Sequence, residues 1–180
     1  SLNLMKFWSE DKGFDIDGYR HAIRVFSTAQ EILVDYSSYP TKTIAQNSHD
    51  YRPLGLGYAN LGTLLMVNGL PYDSAEGNQM AGALTAILCG HGYRVSSEIA
   101  AQKGAFPGYE ANQDSMLKVM RMHRDHAYKL HTTDSELIQA AQEDWDMAVS
   151  LGEAYGYRNA QLTVLAPTGT IGLLMDCDTT

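Results

Sequence analysis

The sequence is short of cysteine and has no long apolar run, and each shortage excludes a class of protein. Cys89 and Cys177 are the only two cysteines in 180 residues. Two thiols so far apart make no disulfide framework, so the sequence predicts a reducing, cytoplasmic setting. No apolar stretch approaches the ~20 residues that a membrane-spanning helix needs, and the sequence therefore predicts no membrane segment.

Basic residues are also scarce. Lys and Arg together number 13 against 21 Asp and Glu, which gives a formal net charge of −8 at pH 7. This balance argues against a nucleic-acid polymer or an anionic membrane surface as the main partner. A single nucleotide remains compatible with it, because one phosphate site needs a few local N–H groups rather than a positive protein.

The two ends of the chain lack the usual signals of a start and a stop. Residues 1–6 have neither an initiator Met nor a signal-peptide layout, and they begin inside a predicted strand. Residues 179–180 follow a predicted helical turn without a capping signal. The composition, with 44% hydrophobic and 19% charged residues, is that of a globular protein. We therefore expect residues 1–180 to form a single segment of a larger domain, truncated at both ends.

Three stretches predict short strands, and helices separate them. The stretches are residues 1–8, 52–57 and 161–166. Strands so far apart, joined by helices, favour parallel pairing through crossover connections and an α/β fold. Gly55 and Gly57 indicate a close approach of backbone or ligand to the second strand. Asn60 stands where a dinucleotide fingerprint would place its third glycine, which argues against that motif.

Helix signals fill the intervals between the strands. After Asp15 as N-cap, apolar residues at helical spacing predict one buried face, made of Ile16, Tyr19, Ile23, Phe26, Ala29, Leu33 and Tyr36. Residues 41–51 are polar and are predicted to be irregular. Further helices are predicted at residues 58–67, from an Asp73 cap to about Gly104, from an Asn112 cap through Ala127, and from a capping box at residues 133–136 to Gly156. Gly90 and Gly92 predict a kink or tight packing in the long helix.

The end of the third strand has the composition of an anion site. Pro167 stops the strand ladder because it has no N–H. Gly169 is free to take a positive φ between two threonine hydroxyls. The apolar run that begins at Ile171 predicts the first turn of a helix, whose unpaired N–H groups and dipole would favour a negative charge. On local chemistry alone, a plain connection remains the alternative.

Other candidate residues favour structural roles. His123 and His126 have the spacing of a metal pair on a helix, but their charged neighbours indicate a solvated face. His91, between two glycines, is interpreted as a local hydrogen-bonding residue rather than a catalyst. Cys177 follows the threonine loop closely, and a buried structural cysteine is favoured over a redox thiol. The spacing shows no metal site, no Ser/His/Asp arrangement and no paired carboxylates.

Several sequence blocks, in order, resemble one enzyme family over nearly all of the chain. The blocks are residues 1–7, 52–62, 93–106, 166–171 and 175–180. Together they are similar to the catalytic barrel of adenosylcobalamin-dependent (class II) ribonucleotide reductases. The resemblance implies part of a ten-stranded α/β barrel, which is helix-rich here and has about three strands.

The resemblance also implies a chemistry. Such enzymes reduce ribonucleoside di- or triphosphates to deoxyribonucleotides through a cysteine thiyl radical that adenosylcobalamin generates, and a thioredoxin-type reductant restores their cysteine pair. The Asn-x-Cys-x-Glu motif of the radical loop does not occur in this sequence, and neither does the reducing pair. No catalytic residue can therefore be carried over. The segment is expected to be inactive alone and to work with the rest of the same polypeptide.

What carries over is the substrate-phosphate loop. The resemblance implies that Thr168, Gly169, Thr170 and Ile171 donate backbone N–H groups to the phosphates, with help from the two hydroxyls. Two alternatives stay open. One is the large subunit of a class I reductase, whose radical comes from a partner subunit, although residues 175–180 favour class II. The other is a non-catalytic helical binding or regulatory module derived from the barrel, which the flanking reading frame would distinguish.

Overall fold

The computed structural model describes residues 1–131 and 134–180, and three of its chain segments lie parallel, side by side. Strand β1 (Leu2–Asn3) pairs with β4 (Tyr58–Ala59). On the other side of the β4 segment, Leu56 forms a parallel bridge with Thr163. The predicted parallel arrangement of the three segments is therefore confirmed. The strands are shorter than predicted, since β1 and β4 are two residues long and residues 161–166 form only the bridge at Thr163. β4 lies just after the predicted strand at residues 52–57, in a stretch predicted to begin a helix, and the helix there begins at Leu61 instead.

The third segment is less buried than its sequence predicts. Leu162 is buried, but Val164 and Leu165 are exposed. A Cβ at Gly57 would overlap the carbonyl oxygen of Val164, so glycine at this position permits the close approach of the two backbones. The predicted role of Gly57 is confirmed.

Helices make up most of the remaining structure. The described residues form α1 (Ile16–Tyr36), α2 (Lys42–Tyr51), α3 (Leu61–Val67), α4 (Ala75–Lys103), α5 (Tyr109–Ala127), α6 (Ser135–Tyr155) and α7 (Gly169–Leu174). A 3-10 helix (Leu4–Phe7) leads into an antiparallel hairpin of β2 (Trp8–Ser9) and β3 (Gly13–Phe14). Outside residues 132–133, no helix is both long and apolar enough to cross a membrane.

Helix α4 lies at the centre and packs against α1, α5 and α6. It stays continuous through Gly90 and Gly92, and Gly90 serves tight packing. A Cβ at Gly90 would lie 3.0 Å from the indole Cδ1 of Trp145 on α6. The helix ends at Gly104, whose φ of +83° suits glycine.

Two apolar clusters form the core on the two sides of this helix. The first joins β1, β4, α1, α3, α4 and the start of α6, and its fully buried members include Leu4, Tyr19, Ile23, Leu64, Leu84, Ile87 and Leu137. The second joins α4, α5 and α6, and it includes Tyr93, Phe106, Leu117, Met120, Trp145 and Tyr157. Both clusters stabilise the molecule by removing large side chains from water.

The buried face of α1 is not the one that the apolar spacing predicts. Tyr19 and Ile23 are buried as expected, but Phe26 is 50% exposed, and Leu33 and Tyr36 are exposed as well. Ser27, Glu31 and Val34 face inward instead. Glu31 is drawn inside because it neutralises two arginines, and a hydrophobic pattern cannot show such a pairing.

Several predicted helix starts move in the structure. Residues 42–51 form α2 rather than an irregular stretch; its cap is Thr41, whose hydroxyl accepts the N–H of Ile44 at 3.2 Å. This helix buries no residue, so no apolar pattern marks it. Ser74, not Asp73, caps α4. Gly108, not Asn112, precedes α5, and the Asn112 side chain donates to the Gly108 carbonyl.

The last long helix begins within its predicted capping box and ends where predicted. Asp134 caps α6 by accepting the N–H groups of Glu136 and Leu137. Thr133, which the sequence placed in a capping box, lies outside the described residues. Gly156, with φ of +73°, ends the helix as predicted.

Candidate functional site

The carboxyl ends of the three parallel segments lie together, and each leads into a polar residue or a helix start. β1 ends at Asn3, and β4 is followed at once by Asn60. The third segment passes through Pro167 and Thr168 into α7. In parallel α/β structures, ligands bind outside this end of the strands. The predicted site residues therefore lie where such a fold places its ligands.

The helix at this end begins two residues earlier than predicted, at Gly169 rather than Ile171. The residue with positive φ is Thr168, at φ 55° and ψ 23°, and not Gly169. A threonine in the left-handed region is strained and persists only where its surroundings fix it. Thr168 is buried, whereas Gly169 and Thr170 are exposed.

Three successive N–H groups at the start of α7 lie free of protein acceptors. In the part of the chain that the structure describes, no hydrogen bond takes the N–H of Gly169, Thr170 or Ile171, and the Thr168 side chain does not cap them. The N–H of Gly172 reaches the Thr168 carbonyl at 2.7 Å. No atom lies within 4 Å of a Cβ built at Gly169. The helix start is therefore open to an external acceptor.

The chain that follows α7 returns to the two asparagines. The Asn60 Oδ1 accepts the N–H groups of Asp178 and Thr179, at 3.2 and 3.1 Å. The Asn60 Nδ2 donates to the Asn3 Oδ1 at 3.0 Å. The Asn3 Nδ2 in turn donates to the carbonyl of Met175 at 3.2 Å. Two side chains thus hold both ends of the segment that follows the helix.

The sequence analysis did not identify this arrangement. In the sequence, Asn3 and Asn60 stand out only as members of the blocks of resemblance at residues 1–7 and 52–62. Asn60 also occupies the position where a dinucleotide fingerprint would have its third glycine. In the structure, Asn3 ends β1 and Asn60 directly follows β4, and parallel strands bring their carboxyl ends together. The predicted strands, residues 1–8 and 52–57, placed neither asparagine at a strand end. Their partners at residues 175–179 lie more than 100 positions away in sequence.

Cys177 lies beside this segment without the features of a reactive thiol. It is half-buried, and burial followed by the carboxylates of Asp178 and Asp176 raises its pKa, while Lys6 acts weakly in the opposite direction. A reactive cysteine needs positive surroundings that stabilise the thiolate. The preference for a structural thiol over a redox thiol therefore agrees with its surroundings, although the side chain is not fully buried.

His91 makes the local hydrogen bond that its sequence context predicts. Its Nδ1 lies 2.9 Å from the Asp144 Oδ1 in the interior between α4 and α6. The Arg20 Nε donates to the other oxygen of this carboxylate at 2.8 Å. Asp144 is wholly buried, and these charge-assisted contacts satisfy it. The cluster joins α1, α4 and α6.

The histidine pair on α5 does not form a shared site. The His123 ring stacks on Trp145 with centroids 5.3 Å apart, and burial together with nearby His126 lowers its pKa. The His126 Nδ1 lies 2.8 Å from the carbonyl of Met122 instead. His123 is thus partly packed rather than simply solvated. Within residues 1–131 and 134–180, no group of three His, Cys, Asp or Glu could hold a metal ion.

A buried ionic network fixes the opposite, amino ends of the strand segments. The Glu31 carboxylate accepts from the Nε atoms of Arg52 and Arg158, both at 2.7 Å, and from Asn159 Nδ2 at 2.6 Å. Arg52 also binds both carboxylate oxygens of Asp35, which lowers the pKa of that group. The arginines precede the second and third segments and thereby anchor both to α1.

Comparisons with known proteins agree on one family. The family profile "Ribonucleotide reductase, barrel domain" matches residues 1–180. A "Vitamin B12-dependent ribonucleotide reductase" of Rhodopirellula baltica is 55% identical over 181 residues, which cover 100% of this chain and 17% of the relative. A protein of the same name from Bradyrhizobium diazoefficiens is 48% identical, with 100% and 16% covered.

A more distant relative has a more specific name. The "Vitamin B12-dependent ribonucleoside-diphosphate reductase" of Mycobacterium tuberculosis is 26% identical over 97% of this chain and 20% of the relative. The chain thus spans about a sixth to a fifth of the length of these three relatives.

Proposed function

Because the chain belongs to the ribonucleotide reductase barrel-domain family, we propose that it is a segment of a vitamin B12-dependent ribonucleotide reductase. Residues 1–180 would be a single part of a larger catalytic α/β barrel of ten strands, to which this segment contributes three parallel strand segments. The full polypeptide would reduce ribonucleotides to deoxyribonucleotides. The names of the relatives support the cobalamin-dependent enzyme over a class I large subunit and over a non-catalytic module.

One observation carries the role of this segment. Three unpaired N–H groups begin α7 at the carboxyl ends of the parallel segments, and the space beside Gly169 is open. We assign Thr168, Gly169, Thr170 and Ile171 to the phosphates of a ribonucleoside di- or triphosphate. Backbone N–H groups suit phosphate oxygens, and the start of the helix favours their charge. The exposed Thr170 hydroxyl adds a further donor, whereas the buried Thr168 shapes the turn.

The contribution of these residues is to position the substrate. By holding the phosphates, the loop orients the ribose toward the radical cysteine, which another part of the polypeptide would supply. Adenosylcobalamin supplies the radical chemistry when it is bound. The described residues form no cluster of ligands that could hold a metal ion. The proposal gives none of them a contact with adenosylcobalamin. The 180-residue chain assayed alone should form no deoxynucleotide, even with a thioredoxin-type reductant.

Replacing Gly169 tests the phosphate site. In the full-length polypeptide, Gly169→Pro removes one N–H donor at a helix position that accepts proline. Losing a hydrogen bond to a charged group costs about 1.5–3 kcal/mol, so the Kd of CDP and CTP should rise roughly tenfold to a hundredfold. Isothermal titration calorimetry without cobalamin measures binding without turnover.

Two further variants isolate the cause. Gly169→Ala keeps the N–H and meets no atom within 4 Å, so the melting temperature should not change. Gly169→Glu keeps the N–H but brings a carboxylate to the phosphates, and it should weaken binding more than alanine does. Proline strains the conformation of Thr168, and the melting curves show whether that matters. Unchanged Kd values in all three variants, with unchanged melting, would mean that residues 168–171 are only a turn.

A further inference from the structure

We propose that Asn60 and Asn3 are positioning residues that hold α7 over the carboxyl ends of β1 and β4, so that its free N–H groups face the substrate phosphates. The phosphate part of this inference rests on the proposed function. The hydrogen bonds that carry it are independent of any ligand. Neither asparagine contacts the helix start itself, and both act through the chain that follows α7.

The helix has little other support. Leu173 and Leu174 are 82% and 85% exposed, and Gly172 is its only buried residue. None of residues 169–175 belongs to either apolar cluster of the described structure. An element with so few buried apolar contacts opens easily unless hydrogen bonds hold it. The position of α7 therefore depends on its polar anchors.

Those anchors converge on one side chain. Asn60 is 1% exposed, and its Oδ1 accepts from the Thr179 hydroxyl at 3.3 Å as well as from two backbone N–H groups. The Thr179 hydroxyl also accepts the N–H of Thr63, at 3.1 Å, in the first turn of α3. A Cβ at Gly62 would lie 3.1 Å from this hydroxyl, so a side chain there would press on Thr179. Thr179 is thereby fixed between Asn60 and α3.

The conformation of Asn60 makes a clean experiment possible. Its φ of +74° lies in the left-handed region, which glycine adopts freely and asparagine tolerates. Asn60→Gly therefore removes the side chain while it keeps, and even relaxes, the backbone. Loss of binding in this variant would reflect the missing amide rather than a strained turn.

The main test compares two asparagines at the two ends of α3. In the full-length polypeptide, Asn60→Gly should raise the Kd of CDP and CTP about tenfold, since its three hydrogen bonds to Asp178 and Thr179 are lost. Asn68→Gly is the control: Asn68 ends α3 and bonds only the Leu64 carbonyl with its side chain. This variant should leave the Kd unchanged. Amide hydrogen exchange at residues 177–179 should accelerate in Asn60→Gly alone.

A second pair of variants tests the same contact at Thr179, the partner of Asn60. Thr179→Val removes the hydroxyl at nearly constant shape, whereas Thr179→Ser retains it. Valine should weaken nucleotide binding several-fold, and serine should restore it, because the Thr179 hydroxyl takes part in three neutral hydrogen bonds, with the Thr63 N–H, the Thr63 hydroxyl and the Asn60 Oδ1. A purely steric role of Thr179 would give the opposite order.

The outcomes separate this inference from the proposed function. If Gly169→Pro weakens binding and Asn60→Gly does not, the phosphate site stands and the positioning role is wrong. If neither Gly169→Pro nor Gly169→Glu changes the Kd, the phosphate site is wrong, and hydrogen exchange alone decides whether Asn60 holds α7. Unchanged exchange at residues 177–179 in Asn60→Gly overturns the positioning role in either case.

Discussion

Helices α4 and α6 meet through apolar side chains that solvent does not reach, whereas α7 meets the rest of the molecule mainly through hydrogen bonds. In the first region, Gly90 admits the indole of Trp145, and Leu84 and Ile87 are fully buried. In the second region, the asparagines bind backbone groups of the segment that follows a short exposed helix. The first arrangement provides stability, and the second leaves donors free for a ligand.

The difference teaches how one segment can serve both purposes. Apolar packing is non-directional and grows with buried area, so it suits the long central helices. A binding loop instead needs a fixed orientation without burying its own N–H groups. Asparagine side chains meet that need, because one amide both donates and accepts.

The largest effect is expected from a substitution that disrupts the packed region. Trp145→Ala should lower the free energy of unfolding by about 3–5 kcal/mol, because it leaves a cavity between α4, α5 and α6. The side chain is 2% exposed and touches both Tyr93 and His123. Urea denaturation followed by far-ultraviolet circular dichroism measures the change.

Trp8→Ala is the matched control, since Trp8 is the other tryptophan and lies half-buried on β2. Trp8→Ala should lower the free energy of unfolding clearly less than Trp145→Ala does. If the two substitutions destabilise equally, Gly90 and Trp145 do not form the principal packing contact between α4 and α6.

The sequence predicted the packed region better than the polar one. Asp15, Gly104 and Gly156 mark helix ends through local chemistry, and each was placed correctly. Leu137, Ala141 and Trp145 on α6 recur at helical spacing in the sequence, and all three are buried. Local caps and periodic apolar residues need no knowledge of distant partners.

Failures occurred where a partner lies far away in sequence. Glu31 faces inward because Arg158, 127 positions later, binds it. The role of Asn60 depends on Thr179, 119 positions later. Of the site itself, the four residues from Thr168 to Ile171 came from resemblance, and they stay a prediction. The positive φ was predicted at Gly169 because glycine favours it intrinsically, but the residue that adopts it is Thr168.

The two cysteines give a smaller test of the same comparison. Burial raises the pKa of Cys89 in the packed region, against a weaker opposing hydrogen bond from Thr163. Burial and two carboxylates raise the pKa of Cys177, in the segment that follows α7. Both pKa values lie above the ordinary 9.0, so alkylation by iodoacetamide should be slow near pH 8 and should accelerate as the pH rises through 9 and beyond.

Salt should then distinguish the two thiols. Added salt screens exposed carboxylates, so it should speed the labelling of Cys177 but not of Cys89, whose pKa is raised by burial rather than by carboxylates. Asp178→Asn should act likewise, by up to about fivefold, as expected for exposed charge interactions of about 0.2–1 kcal/mol. Mass spectrometry of the labelled peptides measures each rate. A salt effect of equal size at both thiols would show that the carboxylates do not act on Cys177 specifically.

The smallest expected effect lies on α7 itself. Leu174→Ala should change the free energy of unfolding of the 180-residue chain by no more than about 0.5 kcal/mol, because an exposed side chain loses little burial. Leu84→Ala on α4 deletes the same atoms from a fully buried leucine and should cost about 2–5 kcal/mol. The pair therefore compares the two regions with identical chemistry.

The same leucine also tests how α7 is held. If Leu174→Ala costs more than about 1 kcal/mol, well above the usual range for surface changes, then α7 packs against the molecule through its apolar face. The asparagines would then be secondary supports, and Asn60→Gly should have little effect on hydrogen exchange. The other outcome is that Leu174→Ala leaves the free energy of unfolding unchanged while Asn60→Gly accelerates exchange at residues 177–179. Hydrogen bonds alone then set the position of the helix that we assign to the phosphates.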